Sequence, residues 1–501
     1  MLYPRRLTGN YNECRPLFVK DASLLLAGSG SIVQVISTET GQLVGRFSGH
    51  ERLVSTISTI RTESGEDLAV SASIDGVVIA WRIDDLSVVN RLDVGTPVYE
   101  MIVPRQVSSG VFITGKDLDS VNRESDELYL IVAKRSTVKT GGSQSHEESK
   151  DPYKLVMYDT KSRKTRRKVS SLRNARQCMS SMQISGEEHI IACNKRKLIT
   201  WSTATRSGPR FTNSTGTITC IASCQESGVV ATGHEKGEIL LWHDIPQWVL
   251  DSASQAEGED VPPPVSTELH WHAHPVQSLA LSSDGGYLYS GGEEGVLVVW
   301  QTKTGQQSFV PRLGAALRHV SASVGKQKVA ATSIDNSIHV IDAVKVREEW
   351  AVRSLFVADA QRMYSRHMER SSSGTSGGED FLQSDPAFRC QIKLEPRSGC
   401  AVCNGYPGHL QALDLWTQTV RWTHEVVPYV RVSRTETHTK MFAPSVSLYE
   451  YATSVAGESL LATLDVRRGA EGEHGSSLKF WTWETSKSSY RLAAQVENPH
   501  G

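Results

Sequence analysis

The stretch from Glu268 to Asp342, ELHWHAHPVQSLALSSDGGYLYSGGEEGVLVVWQTKTGQQSFVPRLGAALRHVSASVGKQKVAATSIDNSIHVID, holds two similar units of short alternating segments. In the first, Val276 to Leu281 alternates, Asp284-Gly285-Gly286 turns, Tyr287 to Gly291 extends, Glu294-Gly295 turns and Val296 to Trp300 extends again. Alternation of this kind places apolar side chains on one face of a strand, and the Gly-bearing pairs supply the hairpin turns. The second unit ends on Ile341-Asp342, about 41 residues after Trp300-Gln301. A repeat of roughly 40–45 residues ending in a Trp-Asp-like pair marks a WD-type β-propeller blade. One blade cannot bury both faces of a four-stranded sheet, so the pattern predicts a closed ring of blades.

Working outward, the last residues of each third strand form a ladder: Ile36-Ser37, Trp81-Arg82, Tyr158-Asp159, Trp201-Ser202, Trp242-His243, Trp300-Gln301 and Ile341-Asp342. These are seven blades. The shorter spacings are about 41 to 45 residues, and the two longer ones each contain an insertion. The expected fold class is therefore all-β: a seven-bladed WD-repeat β-propeller over residues 1–345, followed by the start of a second β-propeller. Residues 346–390 read as a linker with a Ser/Gly-rich loop at Arg366–Asp385, and 391–501 as the opening blades of the second, incomplete propeller. There, Pro396–Gly399 and Asn404–Gly408 mark hairpins, Arg468–Ser477 a long hairpin insertion, and Leu413-Asp414 and Trp481 the third-strand ends. Arg5–Thr8 is expected to close the first ring by pairing into its final blade, since closure removes the exposed sheet edge.

Blade two is the most regular. His50, Ser71, Asp75 and Trp81 fall where a WD blade places a hydrogen-bonded tetrad: the turn carboxylate holds the imidazole, and the hydroxyl reaches the indole N–H. A His/Ser/Asp nucleophilic triad is the competing reading, disfavoured because these residues recur as blade scaffolding. Blade six keeps Ser290 and Trp300 with Glu294 at the carboxylate position; blade five has Thr232 and Trp242 but Lys236 there, which predicts an incomplete tetrad.

Between blades three and four the charge balance shifts. After a polar loop, Ser136–Pro152, the run KSRKTRRKVSSLRNAR carries Lys161, Arg163, Lys164, Arg166, Arg167, Lys168, Arg173 and Arg176 with no acidic residue, and Lys195, Arg196 and Lys197 follow in blade four. Solvated edge strands explain part of this, since lysines blunt exposed sheet edges. Eight unopposed charges exceed what edge protection needs, so a phosphate-binding or partner-binding patch stands beside that reading.

Metal and cofactor signals are weak. His270, His272 and His274 lie within five residues, but no cluster of cysteines or carboxylates accompanies them, and His272 aligns with His50 as the blade histidine. Cys400 and Cys403, with His409, sit in an apolar strand pattern without a second pair, where cysteine packs as a small hydrophobe. No cofactor and no metal are expected. The 39% hydrophobic and 22% charged residues, the net charge of −1, the scattered eight cysteines and the lack of any 18-residue apolar run predict an intracellular soluble protein without a membrane partner.

Some of these residues resemble a known family. Leu269-His270-Trp271-His272, Ser290-Gly291-Gly292 with Val296-Leu297-Val298, and Phe309-Val310-Pro311-Arg312-Leu313-Gly314-Ala315 are similar to the WD repeat-containing protein 75 family. So is Asn404-Gly405-Tyr406-Pro407-Gly408-His409-Leu410-Gln411 in the following domain. The resemblance runs from about Arg15 to the end, weakly in blades three and four, and departs at the Ser136–Pro152 and Arg366–Asp385 loops. It implies a tandem-propeller subunit of the t-UTP (UtpA) module of the small-subunit processome, in the nucleus and nucleolus. Such a subunit would act in ribosome biogenesis beside other t-UTP/UtpA WD-repeat subunits: early binding of the pre-rRNA leader, 18S rRNA precursor processing and support of rDNA transcription. A WD-repeat adaptor of a ubiquitin ligase or chromatin complex is the alternative, although a ligase receptor usually ends a blade in Trp-Asp-x-Arg and the best blade here has Trp81-Arg82. An enzyme is not expected: no phosphate loop, paired catalytic carboxylates or nucleophile motif occurs, nor a site for a small-molecule substrate.

Overall fold

The computed structural model describes residues 11–103, 127–133, 153–355 and 392–499, apart from short stretches at 62–66, 160–163, 173–177, 185–186, 203–209, 225–226, 255–263, 311–312, 406–407, 418, 428–444, 454–458, 469–473 and 487–488. The chain divides into two compact units, one over residues 11–352 and the other built around residues 353–501. In the first, seven four-stranded sheets follow one another at residues 17–48, 54–93, 98–172, 179–213, 218–270, 276–310 and 317–353. Each pairs its strands in chain order, so each is an antiparallel meander, here called blades one to seven with strands a to d.

Position within a blade explains sequence. Strands b and c are covered on both faces and read as nearly continuous apolar or small residues: Asp67–Ser73 and Val77–Arg82 in blade two are buried at almost every position. Strand d lies at the rim and alternates, as in Leu43–Ser48, where only Phe47 is buried. Apolar clusters then join blade to blade. Phe47, Ile79 and Trp81 share one cluster between blades one and two, and Val70, Met101 and Tyr158 another between blades two and three. Leu155, Ile191, Ile221 and Trp242 lie in one that spans blades three to five. Leu241 with Leu288, and Val299 with Val329, carry the core on to blade seven.

The ring closes where Tyr11, Leu25 and Ile36 meet Ala330, Ile338 and Val340. There the Tyr11 amide donates to Asn336 Oδ1 at 2.6 Å and its hydroxyl to Gln34 Oε1 at 2.6 Å, while Trp350 Nε1 donates to the Thr38 carbonyl at 2.9 Å. Arg5–Thr8, like the Ser136–Pro152 and Arg366–Asp385 loops, lies outside the described residues. The place beside strand c of blade seven, Ser337–Asp342, is filled by Arg347–Arg353. The linker expected from residue 346 therefore begins inside the last blade, whose fourth strand is too polar (REEWAVR) to announce itself by apolar alternation. Among the described residues the seam is held by packing and these side-chain hydrogen bonds.

Two further corrections concern local polarity. The Ser-, Ala-, Glu- and Pro-rich stretch from about Asp251 to Ser266 reads as a surface loop. A helix, Ile245–Ser254, instead follows blade five's third strand and takes in the start of that stretch. Its Ile245, Trp248 and Val249, at the i, i+3, i+4 spacing of one helical face, bury against blade four's core. In the second unit, sheets at residues 392–425 and 445–497 share a core of Cys400, Val402, Leu410, Tyr449, Leu461 and Trp481. Gly475, Ser476 and Ser477, expected in a hairpin insertion, pair with Arg467, Val466 and Asp465, and the strand runs past Trp481 to Glu484. Ahead of the buried Trp481, its buried positions are the polar Ser477 and Lys479: Lys479 Nζ lies 3.0 Å from Asp465 Oδ1 and donates to the Val426 carbonyl at 2.7 Å. A strand whose inward residues are charged does not show the expected pattern.

Candidate functional site

The tetrad residues are built into the sheets. In blade two, Trp81 Nε1 donates to Ser71 Oγ at 2.8 Å, and Ser71 Oγ meets His50 Nε2 at 2.8 Å. Asp75 accepts from the Glu51 and Val77 amides at 2.9 Å and lies 3.5 Å from His50 Nδ1. Burial lowers the His50 pKa, and Asp75 works against it. Blade six is tighter. Glu294 Oε2 stands 3.0 Å from His272 Nδ1, Glu294 Oε1 accepts from the Ala273 and His274 amides at 3.0 Å, and Ser290 joins His272 to Trp300, both at 2.8 Å. The longer side chain thus serves the same imidazole. Blade five bonds Trp242 to Thr232 at 2.9 Å and finds its imidazole two residues along the same strand, in His234, at 3.1 Å. In each case the serine or threonine hydroxyl is already engaged by an indole N–H, and the residues sit inside a sheet instead of facing a cleft. That geometry is scaffolding. Cys400 belongs to the second unit's apolar core, and of His270, His272 and His274 only His272 enters a tetrad.

The first strands of all seven blades surround an axial cavity of about 310 Å³, lined by Leu17, Ser55, Glu100, Ser180, Ser223 and His319 among others. Small hydroxyls link strand to strand around it. Ser55 donates to the Val98 carbonyl at 2.6 Å, Ser180 and Ser223 share a 2.6 Å bond, Thr219 donates to the Val276 carbonyl at 2.6 Å, and Ser278 accepts from the Val320 amide at 2.8 Å. Charged residues interrupt this belt, Arg15 and Glu100 among them, with Glu13 also in the lining. Arg15 donates from Nε to the Val320 carbonyl at 2.9 Å and from Nη2 to the Leu279 carbonyl at 2.7 Å, tying the start of blade one to blades six and seven. Glu100 accepts from the Cys178 amide at 3.0 Å; burial pushes its carboxyl up to about 7, while that amide and Arg15 oppose the shift.

A family model described as the WD repeat-containing protein 75 first β-propeller matches residues 17–336. The chain belongs to the WD repeat-containing protein 75 family. Human WD repeat-containing protein 75 is 25% identical over 98% of this chain and 51% of its own length, and the Danio rerio protein of that name is 24% identical over 97% and 51%. U3 small nucleolar RNA-associated protein 17 of Schizosaccharomyces pombe is 28% identical over 46% of this chain and 29% of its own length. The chain spans about half the length of the WD repeat-containing protein 75 relatives it matches.

On this propeller, the basic residues distribute between two places. Lys164, Arg166, Arg167 and Lys168 lie on Lys164–Leu172, the outermost strand of blade three, which pairs along the whole of Tyr153–Asp159 with two bulges. Lys161, Arg163, Arg173 and Arg176 lie outside the described residues. Lys195 and Arg196 form the turn between strands b and c of blade four, Lys195 with φ 57°, and Lys197 opens strand c; all three are exposed. In a meander this turn and the start of strand d stand at opposite ends of the blade, so Lys164 and Lys195 do not converge. The sequence reading missed Arg15 and Glu100 as axial charges, and His234. A lone acid inside the apolar inner strand Val98–Ile102 was the available signal for Glu100.

Proposed function

We propose that this chain is a non-enzymatic scaffold of the small-subunit processome, a t-UTP/UtpA subunit of the nucleus and nucleolus that acts in ribosome biogenesis. It holds the pre-rRNA leader early in processing of the 18S rRNA precursor, supports rDNA transcription, and docks on other t-UTP/UtpA WD-repeat subunits. The match to the WD repeat-containing protein 75 first propeller over residues 17–336 carries this reading, and the likeness to a protein named for the U3 small nucleolar RNA supports it. A bulged edge strand whose sequence carries Lys164, Arg166, Arg167 and Lys168 suits contact with a phosphate backbone without base reading.

The test is salt titration. Replacing those four residues by Ser is expected to lower the slope of log affinity against log salt for leader RNA by up to ~3, at about 0.7 per single-strand contact, with sequence preference unchanged. Identical slopes would remove this strand from RNA binding. Affinity purification of the full chain with ligase or chromatin subunits instead of processome factors would overturn the reading as a whole.

A further inference from the structure

From Thr160 to Gln225 the chain holds 13 Lys and Arg residues against two acids, Glu187 and Glu188, although the whole chain is at −1. Blade four, within this part of the chain, carries an exposed aromatic ring. Phe211 lies on the outermost strand, Arg210–Asn213, paired opposite Ile199, and is 54% exposed. Lys197 Nζ stands 5.7 Å from the centre of its ring. Asn213, opposite Lys197 in the register, is exposed beside them, and Arg196 is exposed in the preceding turn.

Edge protection does not explain this group. A lysine blunts an edge strand, but an exposed phenylalanine on the same strand invites pairing and association. Burial does not account for the ring either: Ile199, opposite it, is buried in the blade's core, while Phe211 keeps more than half of its own surface in solvent. An exposed aromatic ring with Lys197 and the Asn213 amide beside it, and Arg196 in the preceding turn, is instead the composition of a single-strand platform. The ring takes a base by stacking, which every base permits, and the ammonium takes the adjoining phosphate.

We propose that Phe211 is a stacking platform for one unpaired nucleotide of an RNA strand, with Lys197 and Arg196 on its phosphates. This rests on the reading that the chain holds RNA through its basic residues, and adds that the RNA is single-stranded at blade four.

The experiment measures binding of the full chain to a fluorescent oligouridylate, and to the same oligomer with single abasic positions, at several salt concentrations. Phe211→Ala is expected to weaken binding about 5- to 100-fold with an unchanged salt slope. Phe211→Tyr retains affinity, and Lys197→Ala lowers the slope. One abasic position weakens the parent and leaves Phe211→Ala unaffected. Phe211 is largely exposed, so its variants keep the parent melting temperature and the loss is not one of folding. If Phe211→Ala binds like the parent while the blade-three quadruple variant loses slope, the platform is wrong and the backbone reading stands. If the parent binds no RNA, both fail. Equal competition by duplex RNA, or loss of a protein partner alone in Phe211→Ala, also overturns the platform.

Discussion

Blade six of the ring and the first sheet of the second unit use the same strand plan and differ in what covers them. The inner strand of blade six, Val276–Leu281, buries Val276 and Leu279 completely, whereas that of the second unit's first sheet, Ile392–Leu394, leaves Ile392 70% and Leu394 65% exposed. The outer strand Ser489–Glu497 is exposed at all but Tyr490. A buried indole bonded to a strand hydroxyl occurs in both units: Trp481 Nε1 donates to Thr463 at 2.8 Å, as Trp300 does to Ser290. The polar lock is therefore a property of one sheet. Apolar burial is a property of the pair, supplied by whichever sheet comes next.

Removing the lock in each place separates the two contributions. Trp81→Ala is expected to cost the ring about 3–5 kcal/mol, because the indole is buried against Phe47, with ring centres 5.1 Å apart, and its loss strands Ser71 and His50. Trp481→Ala, at a residue 7% exposed against 1% for Trp81, should cost less, about 3 kcal/mol. Urea unfolding of the full chain, with hydrogen exchange followed in each unit, measures both; equal costs would break the comparison.

Within the ring, Glu294→Ala should cost about 2–3 kcal/mol, since it leaves an imidazole and two amides without their carboxylate. Asp75→Ala should cost less, its carboxylate standing 3.5 Å from the imidazole; a larger loss at Asp75 in the same unfolding assay would reverse the ranking.

The axial charge gives a pH signature. Glu100 keeps its proton in the folded ring to about pH 7, while the unfolded carboxyl titrates near 4.5, so the parent loses stability as pH rises between those values. Glu100→Gln should match the parent near pH 5 and exceed it by about 2 kcal/mol at pH 8. The histidines whose pKa burial lowers, His50 and His234, act in the opposite sense and cancel in this difference. Parallel stability curves would show that Glu100 is ionised in the fold. The smallest effect is expected at His234→Ala, about 1 kcal/mol, because Trp242 keeps its bond to Thr232; calorimetry of the ring transition reads it.

What could be read from the sequence follows the same division. Strands b and c announced themselves, because cover on both faces demands apolar or small residues at every position, and the Trp-ended third strands set the repeat. Arg347–Arg353 did not, since an outer strand is held by backbone pairing while its side chains face water. Glu294 was legible as the carboxylate of blade six, but His234 was not legible as blade five's imidazole, since it comes from within a strand. Arg15 and Glu100 escaped because an axial charge is defined by seven strands distant in sequence; the one local mark was the acid inside the apolar strand Val98–Ile102.

Closing the ring by packing has a mechanical consequence. The chain enters at Tyr11 and leaves beside Trp350 across one seam, so the propeller is a split washer whose two lips are pressed together by Tyr11, Ile36, Ile338 and Val340 and latched by Arg15. Every other blade boundary is crossed by a covalent connection. A pull applied across the lips would part the seam first and then peel blades from one or seven in sequence, whereas a pull across any other boundary must first straighten a connecting loop.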